Sequence, residues 1–220
     1  YKKSENPNIC IVNTCTVTNT ADNKSAKLIR KLKREFPESL LVVTGCMVQN
    51  RSEDIKSLGV DIAIGNKNKS KIVEYIENYK KEKIIDIQSL DNEPFECMKL
   101  NNFNLTRAYI KIEDGCNNYC SYCIIPYVRG DVRSKAHAEV IDEAKTLVKK
   151  GHHEIVLTGI HTGHYHDNNY DFSDLLLELL KIKGLERLRI SSIEITELND
   201  KFLKVLEENN VLVDHMHIPL

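Results

Sequence analysis

Short apolar runs alternate with longer amphipathic stretches along the whole of this chain. The apolar runs predict strands at 8–13, 40–44, 61–64, 84–87, 107–112, 154–158, 187–191 and 211–218. The amphipathic stretches predict helices at 20–36, 51–58, 67–79, 137–150, 172–182 and 200–208. Residues 40–43 are apolar at consecutive positions, as in parallel strands that helices cover on both faces. The alternation is typical of α/β proteins with a parallel sheet.

The segment 90–105 interrupts this alternation, because it is rich in asparagine and shows little periodicity. We interpret it as part of a linker between two domains. The predicted organisation is an N-terminal domain at 1–88, a linker at 89–104 and a second domain at 105–220. The second domain holds about four predicted strands, whereas a closed barrel of eight βα units needs about 250 residues. The predicted fold class is therefore α/β, with a small parallel-sheet domain followed by the first part of an open βα barrel.

The composition is that of an ordinary folded protein, with 41% hydrophobic and 29% charged residues over 220 positions. The net charge of −1 gives no overall basic field of the kind that marks nucleic-acid binders. The sequence has no apolar run near the ~18 residues that span a bilayer, and no signal peptide. We therefore expect a cytoplasmic protein without membrane contact. Because the chain begins at Tyr1 rather than at a methionine, and its last segment, 211–220, ends on a predicted strand, we also expect it to be a piece of a longer protein.

Three of the seven cysteines lie within eight residues: Cys116, Cys120 and Cys123 are spaced C-x3-C-x2-C directly after a predicted strand. An odd number of cysteines in a chain of this size favours metal binding or catalysis over disulfides. Three thiolates on one loop can bind three irons of a cubane cluster and leave the fourth iron open to another ligand. A structural zinc loop with a fourth ligand elsewhere is the alternative interpretation.

Two further cysteines each follow an apolar run of the first domain by two residues, Cys15 after 8–13 and Cys46 after 40–44. The carboxyl ends of parallel strands form the ligand crevice of an open sheet, so we expect these two sulfur atoms to converge. The alternative is that each is a small buried apolar side chain. Cys10 lies inside its strand and is expected in the core, and Cys97 receives no role.

The cysteine loop, with the aromatic Tyr122 before its last cysteine, resembles that of the radical S-adenosylmethionine (SAM) enzymes. The longer string 107–130 is similar to the methylthiotransferase family, which installs a methylthio group on tRNA or on a ribosomal protein. The segments 156–163 and 187–194 are most similar to the branch that modifies tRNA N6-threonylcarbamoyladenosine (t6A). The similarity extends over essentially the whole chain.

This resemblance implies an enzyme with a [4Fe–4S] cluster on Cys116, Cys120 and Cys123, whose open iron binds SAM. A reductant such as flavodoxin or ferredoxin would supply one electron, and SAM would be cleaved to methionine and a 5′-deoxyadenosyl radical. The implied reaction is methylthiolation of tRNA at C2 of t6A, next to the anticodon. Isopentenyl-adenosine in tRNA and an aspartate of a ribosomal protein are alternative substrates, and a non-radical enzyme or a non-enzymatic metal-binding module are alternative functions. We expect a monomer.

The resemblance also implies an auxiliary [4Fe–4S] cluster with three cysteine ligands in the first domain. Cys15 and Cys46 correspond to the second and third of these ligands, and the first falls outside this sequence. The family also carries a C-terminal RNA-binding domain after the barrel. We therefore do not expect this 220-residue chain to complete methylthio transfer alone.

Five residues are implied to contact SAM, and no side chain is singled out as catalytic. They are Tyr122 near the adenine, Thr158 and Gly159 near the amino group, and Ser192 and Glu194 at the ribose hydroxyls. Glycine would let the backbone come close to the cofactor, and a hydroxyl and a carboxylate can both bind ribose.

Three histidines, His161, His164 and His166, crowd the predicted loop after the strand at 154–158. We interpret this loop as lining the pocket for SAM and substrate. A dedicated metal site is the alternative, because histidine is a common metal ligand.

Overall fold

The computed structural model describes residues 6–90, 94–98 and 105–219, in two compact units. The first unit contains 6–90 and 118–130, and the second contains 94–98, 105–117 and 131–219. The predicted linker lies partly outside the described residues, and the domain bounds expected from the sequence stay a prediction. Within the described ranges, no helix combines the length and apolar character needed to cross a membrane.

The first unit is a four-stranded sheet in which all neighbouring strands are parallel, in sequential order. Its strands are β1 (Ile9–Thr14), β2 (Leu40–Gly45), β3 (Ile62–Ile64) and β4 (Ile84–Asp86). Its helices are α1 (Asn19–Glu35), α2 (Cys46–Asn50), α3 (Ser52–Ser57), α4 (Ile72–Glu77) and α5 (Ile125–Arg129), with a 3-10 helix at Lys69–Lys71. The parallel sheet confirms the fold predicted for the N-terminal domain.

Strand β2 forms the centre of this unit because both of its faces are buried. Leu41 and Val43 lie in one cluster with Ile29 of α1, while Val42 lies in a second cluster with Ile62. Complete burial of such aliphatic side chains contributes roughly 1.5–3 kcal/mol each. The consecutive apolar residues of the sequence therefore correspond to a strand covered on both sides.

The second unit is built on three parallel strands, β5 (Arg107–Lys111), β8 (Glu154–Thr158) and β11 (Arg187–Ile190), with β8 in the middle. Helices α6 (His137–Lys149) and α7 (Phe172–Leu179) lie between consecutive strands along the chain, and α8 (Asp200–Glu208) follows β11. Short elements surround the strand ends: β6 (Glu113–Asp114), β7 (Arg133–Ser134), β9 (His166–Asp167), β10 (Tyr170–Asp171), and 3-10 helices at Thr162–His164 and Ile195–Glu197. This arrangement agrees with the first βα units of an open barrel.

The predicted strand at 211–218 is wrong. Only Leu212 pairs with β11, through a single parallel bridge to Leu188. Leu212 is buried, whereas Asp214 and His215 are exposed. The alternating polar residues of this segment therefore do not belong to a continuous ladder.

The predicted helix at 67–79 is shorter than expected. Asn68 has a φ of 63°, in the left-handed region, where a right-handed helix cannot continue. A 3-10 helix at Lys69–Lys71 follows, and α4 occupies only Ile72–Glu77. The helical spacing of apolar residues does not reveal this change of backbone conformation, so the predicted helix was too long.

Lys135 and Glu143 form an ion pair inside the second unit. Their side chains are only 2% and 5% exposed. Two desolvated charges are stable only as a pair, because removing one partner leaves the other buried and uncompensated. The pair joins the segment after β7 to helix α6.

We predict that Lys135→Met destabilises the protein by about 3–5 kcal/mol, because it leaves the Glu143 carboxylate buried without a counter-charge. The double variant Lys135→Met/Glu143→Leu should recover most of the loss, since it removes both charges and keeps apolar volume. Urea unfolding followed by circular dichroism measures both. Equal stability of the single and double variants would contradict this account.

Candidate functional site

The candidate cluster ligands lie on the loop that follows β6. Gly115, just before Cys116, has a φ of +92°, a conformation that glycine adopts without steric cost. The backbone N–H of Cys123 donates to the carbonyl of Cys120 at 2.9 Å, which closes a turn between these two cysteines. Cys116 and Cys123 are half-buried and Cys120 is exposed. The division between the two units falls inside this loop, after Asn117.

The thiols of this loop fit an iron–sulfur cluster by their chemistry. None of the seven cysteines, all of which belong to the described ranges, forms a disulfide. The three loop cysteines are not part of either core, and Tyr122 beside them is 88% exposed. Solvent-accessible cysteines of this spacing are suited to binding iron as thiolates.

Cys15 and Cys46 directly follow two paired parallel strands of the first unit. In the register of this pairing Thr14 lies opposite Gly45. Cys15 and Cys46 are the residues that directly follow this pair. Gly45 has a φ of +106°, and a Cβ atom at this position would lie 2.4 Å from the Thr14 carbonyl oxygen. Only glycine allows the chain to turn here from β2 into α2, which begins at Cys46. Cys15 is exposed and Cys46 is buried, and convergence of their sulfur atoms stays a prediction.

Asn66 connects Cys46 to the segment after the cysteine loop, within the first unit. Its Nδ2 lies 3.5 Å from the Cys46 sulfur and donates to the Val128 carbonyl of α5 at 2.6 Å. Its backbone N–H donates to the Gln49 side chain at 2.9 Å. This role could not be predicted from the sequence, because Asn66 follows its strand as an ordinary loop residue. The expected core position of Cys10 agrees with its 8% exposure.

Four of the five residues expected to contact SAM lie at or after the carboxyl ends of β8 and β11, and Tyr122 lies on the cysteine loop. The Thr158 hydroxyl donates to the Ile110 carbonyl at 3.3 Å. The Ser192 carbonyl accepts a hydrogen bond from the Thr162 hydroxyl. Glu194 is the N-cap of the 3-10 helix at Ile195–Glu197. The contact between Thr162 and Ser192 joins the loops that follow β8 and β11, while a contact of any of the five residues with SAM stays a prediction.

Glu113 is a fully buried carboxylate that holds the β8 loop against β6. Its Oε2 accepts the backbone N–H of His161 at 2.7 Å, and Ile160 also donates to it. A Cβ on Gly159 would lie 2.7 Å from this oxygen, so glycine is needed for the close approach. Burial raises the pKa of the Glu113 carboxyl to about 7, although the two backbone donors act in the opposite direction. Sequence reasoning missed this residue.

His161, His164 and Glu197 form a polar cluster beside Cys116. His161 Nδ1 lies 3.9 Å from the Cys116 sulfur, and His161 Nε2 lies 2.9 Å from Glu197 Oε1. His164 Nε2 lies 3.4 Å from the same oxygen. Desolvation and the neighbouring His161 lower the pKa of His164. The histidines were visible in the sequence, whereas Glu197 was not, because only the fold brings it to them.

Two separate parts of the chain match known protein families. Residues 1–65 match the family described as "Uncharacterized protein family UPF0004". Residues 110–220, half of the chain, match the radical SAM superfamily. The chain belongs to the radical SAM superfamily. The cofactor pair predicted from the cysteine loop, a [4Fe–4S] cluster with SAM, is the pair that this superfamily uses.

Several curated relatives of this radical SAM protein are named as tRNA-modifying enzymes. It is 42% identical over 96% of its length to "Threonylcarbamoyladenosine tRNA methylthiotransferase MtaB" of Bacillus subtilis, and 35% identical to that of Aquifex aeolicus, also over 96%. It is 33% identical over 100% of its length to "tRNA-2-methylthio-N(6)-dimethylallyladenosine synthase" of Clostridium botulinum. The chain spans about half the length of these relatives, 49%, 53% and 51% respectively.

A solved structure confirms the fold class. The radical SAM methyltransferase TsrM of Kitasatospora setae, with cobalamin and a [4Fe–4S] cluster bound, matches with a TM-score of 0.61 at 15% identity. The match covers 91% of this chain and 46% of TsrM. At this identity the likeness concerns the fold alone.

We predict that Asn66→Ala costs about 1–3 kcal/mol, because the buried Val128 carbonyl loses its donor. The variant should also increase the rate at which iodoacetamide alkylates Cys46, since α5 is no longer tied beside it. Mass spectrometry of peptides from the apoprotein measures this rate. Asn78→Ala, at an exposed position of the same unit, is the control and should change neither quantity.

Proposed function

We propose that this protein is a radical SAM methylthiotransferase that converts t6A next to the anticodon of tRNA into its 2-methylthio derivative. The observation that carries the proposal is the set of accessible cysteines Cys116, Cys120 and Cys123 on the loop after β5 and β6. Identity of 42% to a relative named for t6A methylthiolation supports the choice of substrate.

The proposed roles follow from the chemistry of each residue. Cys116, Cys120 and Cys123 bind three irons of a [4Fe–4S] cluster as thiolates, and the fourth iron takes SAM. When bound, this pair supplies radical chemistry, which is needed because the adenine C2–H bond is too unreactive for acid–base catalysis. A flavodoxin or ferredoxin is the proposed electron donor.

The protein's own contribution is to position SAM and the nucleobase. Tyr122 presents an exposed ring for the adenine of SAM, and the segment at Thr158 and Gly159 offers backbone groups to its amino group. Ser192 and Glu194 are half-buried at the end of β11, where a hydroxyl and a carboxylate can bind ribose. Glu113 fixes the loop after β8, which begins at Gly159.

Cys15 and Cys46 are proposed ligands of an auxiliary [4Fe–4S] cluster that takes part in sulfur transfer. Their equivalent positions after neighbouring parallel strands support this role, because ligands gather at that edge of an open sheet. Thiolates are the preferred ligands of iron–sulfur clusters.

Isopentenyl-adenosine in tRNA is the second candidate substrate, favoured by the 33% identity to a dimethylallyladenosine synthase. Mass spectrometry of tRNA nucleosides from a strain lacking the gene separates the two candidates. Loss of 2-methylthio-t6A, restored by the gene, is the expected result. Loss of the isopentenyl derivative alone would favour the second substrate, and no change in either nucleoside would refute the proposed activity on tRNA.

We predict that alanine at Cys116, Cys120 or Cys123 abolishes cleavage of SAM by the anaerobically reconstituted protein with dithionite. Each substitution removes the thiolate of one iron. Cys10→Ala is the matched control, since Cys10 is buried in the core of the first unit, and it should keep its iron content. Full SAM cleavage by Cys120→Ala would rule out the proposed cluster.

We predict a different result for Cys46→Ala. The purified variant should still cleave SAM, because the cluster on the cysteine loop is intact. A deletion strain that carries this variant gene should nevertheless lack the 2-methylthio nucleoside. Normal amounts of that nucleoside would show that Cys46 takes no part in sulfur transfer.

A further inference from the structure

A compact group of metal-ligating side chains lies at the carboxyl ends of β8 and β11 in the second unit. The ligand atoms of His161, His164 and Glu197 all lie within 4.8 Å of one another. We propose that these three residues bind one divalent first-row transition-metal ion, Zn²⁺ or Fe²⁺, at a site separate from the cysteine ligands. The proposal does not depend on methylthio transfer.

The local backbone explains why two histidines face the same point. His161 is the N-cap of the 3-10 helix at Thr162–His164, and residues three apart in such a helix are eclipsed. The two imidazole rings are accordingly stacked, with centroids 3.7 Å apart and planes 26° from parallel. Both Nε2 atoms therefore approach the same carboxylate oxygen, Glu197 Oε1.

The spacing of these atoms agrees with that of neighbouring ligands on one metal ion. Ligands about 2.0–2.2 Å from zinc at tetrahedral or octahedral angles lie about 2.8–3.6 Å apart. The two Nε2 atoms lie 2.9 and 3.4 Å from Glu197 Oε1.

The Glu197 carboxylate is fixed in place before any metal binds. Its Oε2 accepts the backbone N–H of Glu194 at 2.8 Å, and its Oε1 accepts the Thr196 hydroxyl at 3.0 Å. A Cβ on Gly163 would lie 2.4 Å from Glu197 Cγ, so this glycine allows the carboxylate to approach the histidines. Such outer contacts orient metal ligands in known sites.

The ligand set and its burial indicate the class of metal. Imidazole and carboxylate together suit Zn²⁺ and Fe²⁺, and two histidines with one carboxylate leave further coordination positions open. The His161 side chain is 3% exposed and that of Glu197 11%, whereas that of His164 is 34% exposed. The site is thus buried on one side and open to water or another small ligand at His164.

Hydrogen bonds between the imidazoles and the carboxylate would give similar distances without any metal. Added zinc distinguishes the two alternatives, because side chains that are only hydrogen-bonded to one another would not retain zinc. Zinc content is therefore measured on protein whose clusters have first been reconstituted, so that the cluster cysteines are occupied.

The reconstituted protein is incubated anaerobically with Zn²⁺ and desalted, and its zinc, iron and sulfide contents are measured. We expect about one zinc per chain. The His164→Ala and Glu197→Gln variants should each contain at most about one fifth of the zinc of the wild-type protein. Their iron and sulfide contents should be unchanged. His166→Ala, an exposed histidine of the same loop, is the matched control and should retain the full amount.

X-ray absorption at the zinc edge gives a second readout. A first shell of nitrogen and oxygen at about 2.0–2.2 Å supports the site, whereas sulfur at about 2.3 Å would place the zinc on cysteines. Absence of zinc from the wild-type protein, or equal zinc in the wild type and both ligand variants, would overturn the proposal. Circular dichroism of the variants verifies that each one is folded.

Discussion

Parallel strands deliver their carboxyl ends to one edge of a sheet, and the chemistry of this protein depends on that constraint in both units. In the first unit, the pairing of Thr14 with Gly45 sets Cys15 and Cys46 at equivalent positions beyond β1 and β2. In the second unit, β8 and β11 end beside each other and carry the histidines and Glu197 on the loops that follow. Residues far apart in sequence, such as His161 and Glu197, therefore become neighbours.

A few buried polar contacts help to hold the loops at these strand ends, together with core side chains such as Tyr165 and Ile193. Glu113 accepts two backbone N–H groups from the β8 loop, and Gly159 allows it to come close. The raised pKa of Glu113 shows that the position costs free energy when the carboxyl is ionised, because burial outweighs both donors. Because the pKa of Glu113 is about 7, a fraction of the molecules carries a protonated Glu113 near neutral pH. Glu113 lies a few residues before Cys116 in the sequence.

Strands and long helices were predictable because their apolar spacing extends over enough residues to define a period. The short helices α2 and α5 were not, since five residues contain little more than one turn. The strand expected at 211–218 failed because alternation alone does not supply a pairing partner. The cysteine loop was visible as local spacing, whereas Asn66, Glu113 and Glu197 act through contacts that only the fold creates.

His161 links the proposed metal site to a cysteine of the proposed cluster. Its Nε2 faces Glu197 and its Nδ1 faces the Cys116 sulfur, so the two ring nitrogens serve different centres. A metal bound at Nε2 would leave the ring proton on Nδ1, where it would point toward the Cys116 sulfur. The distance of 3.9 Å between His161 Nδ1 and the Cys116 sulfur is long for a hydrogen bond. The strength of this contact therefore depends on the orientation of the two side chains. An ion at the proposed metal site would therefore change the electrostatic environment of Cys116, a proposed ligand of the cluster.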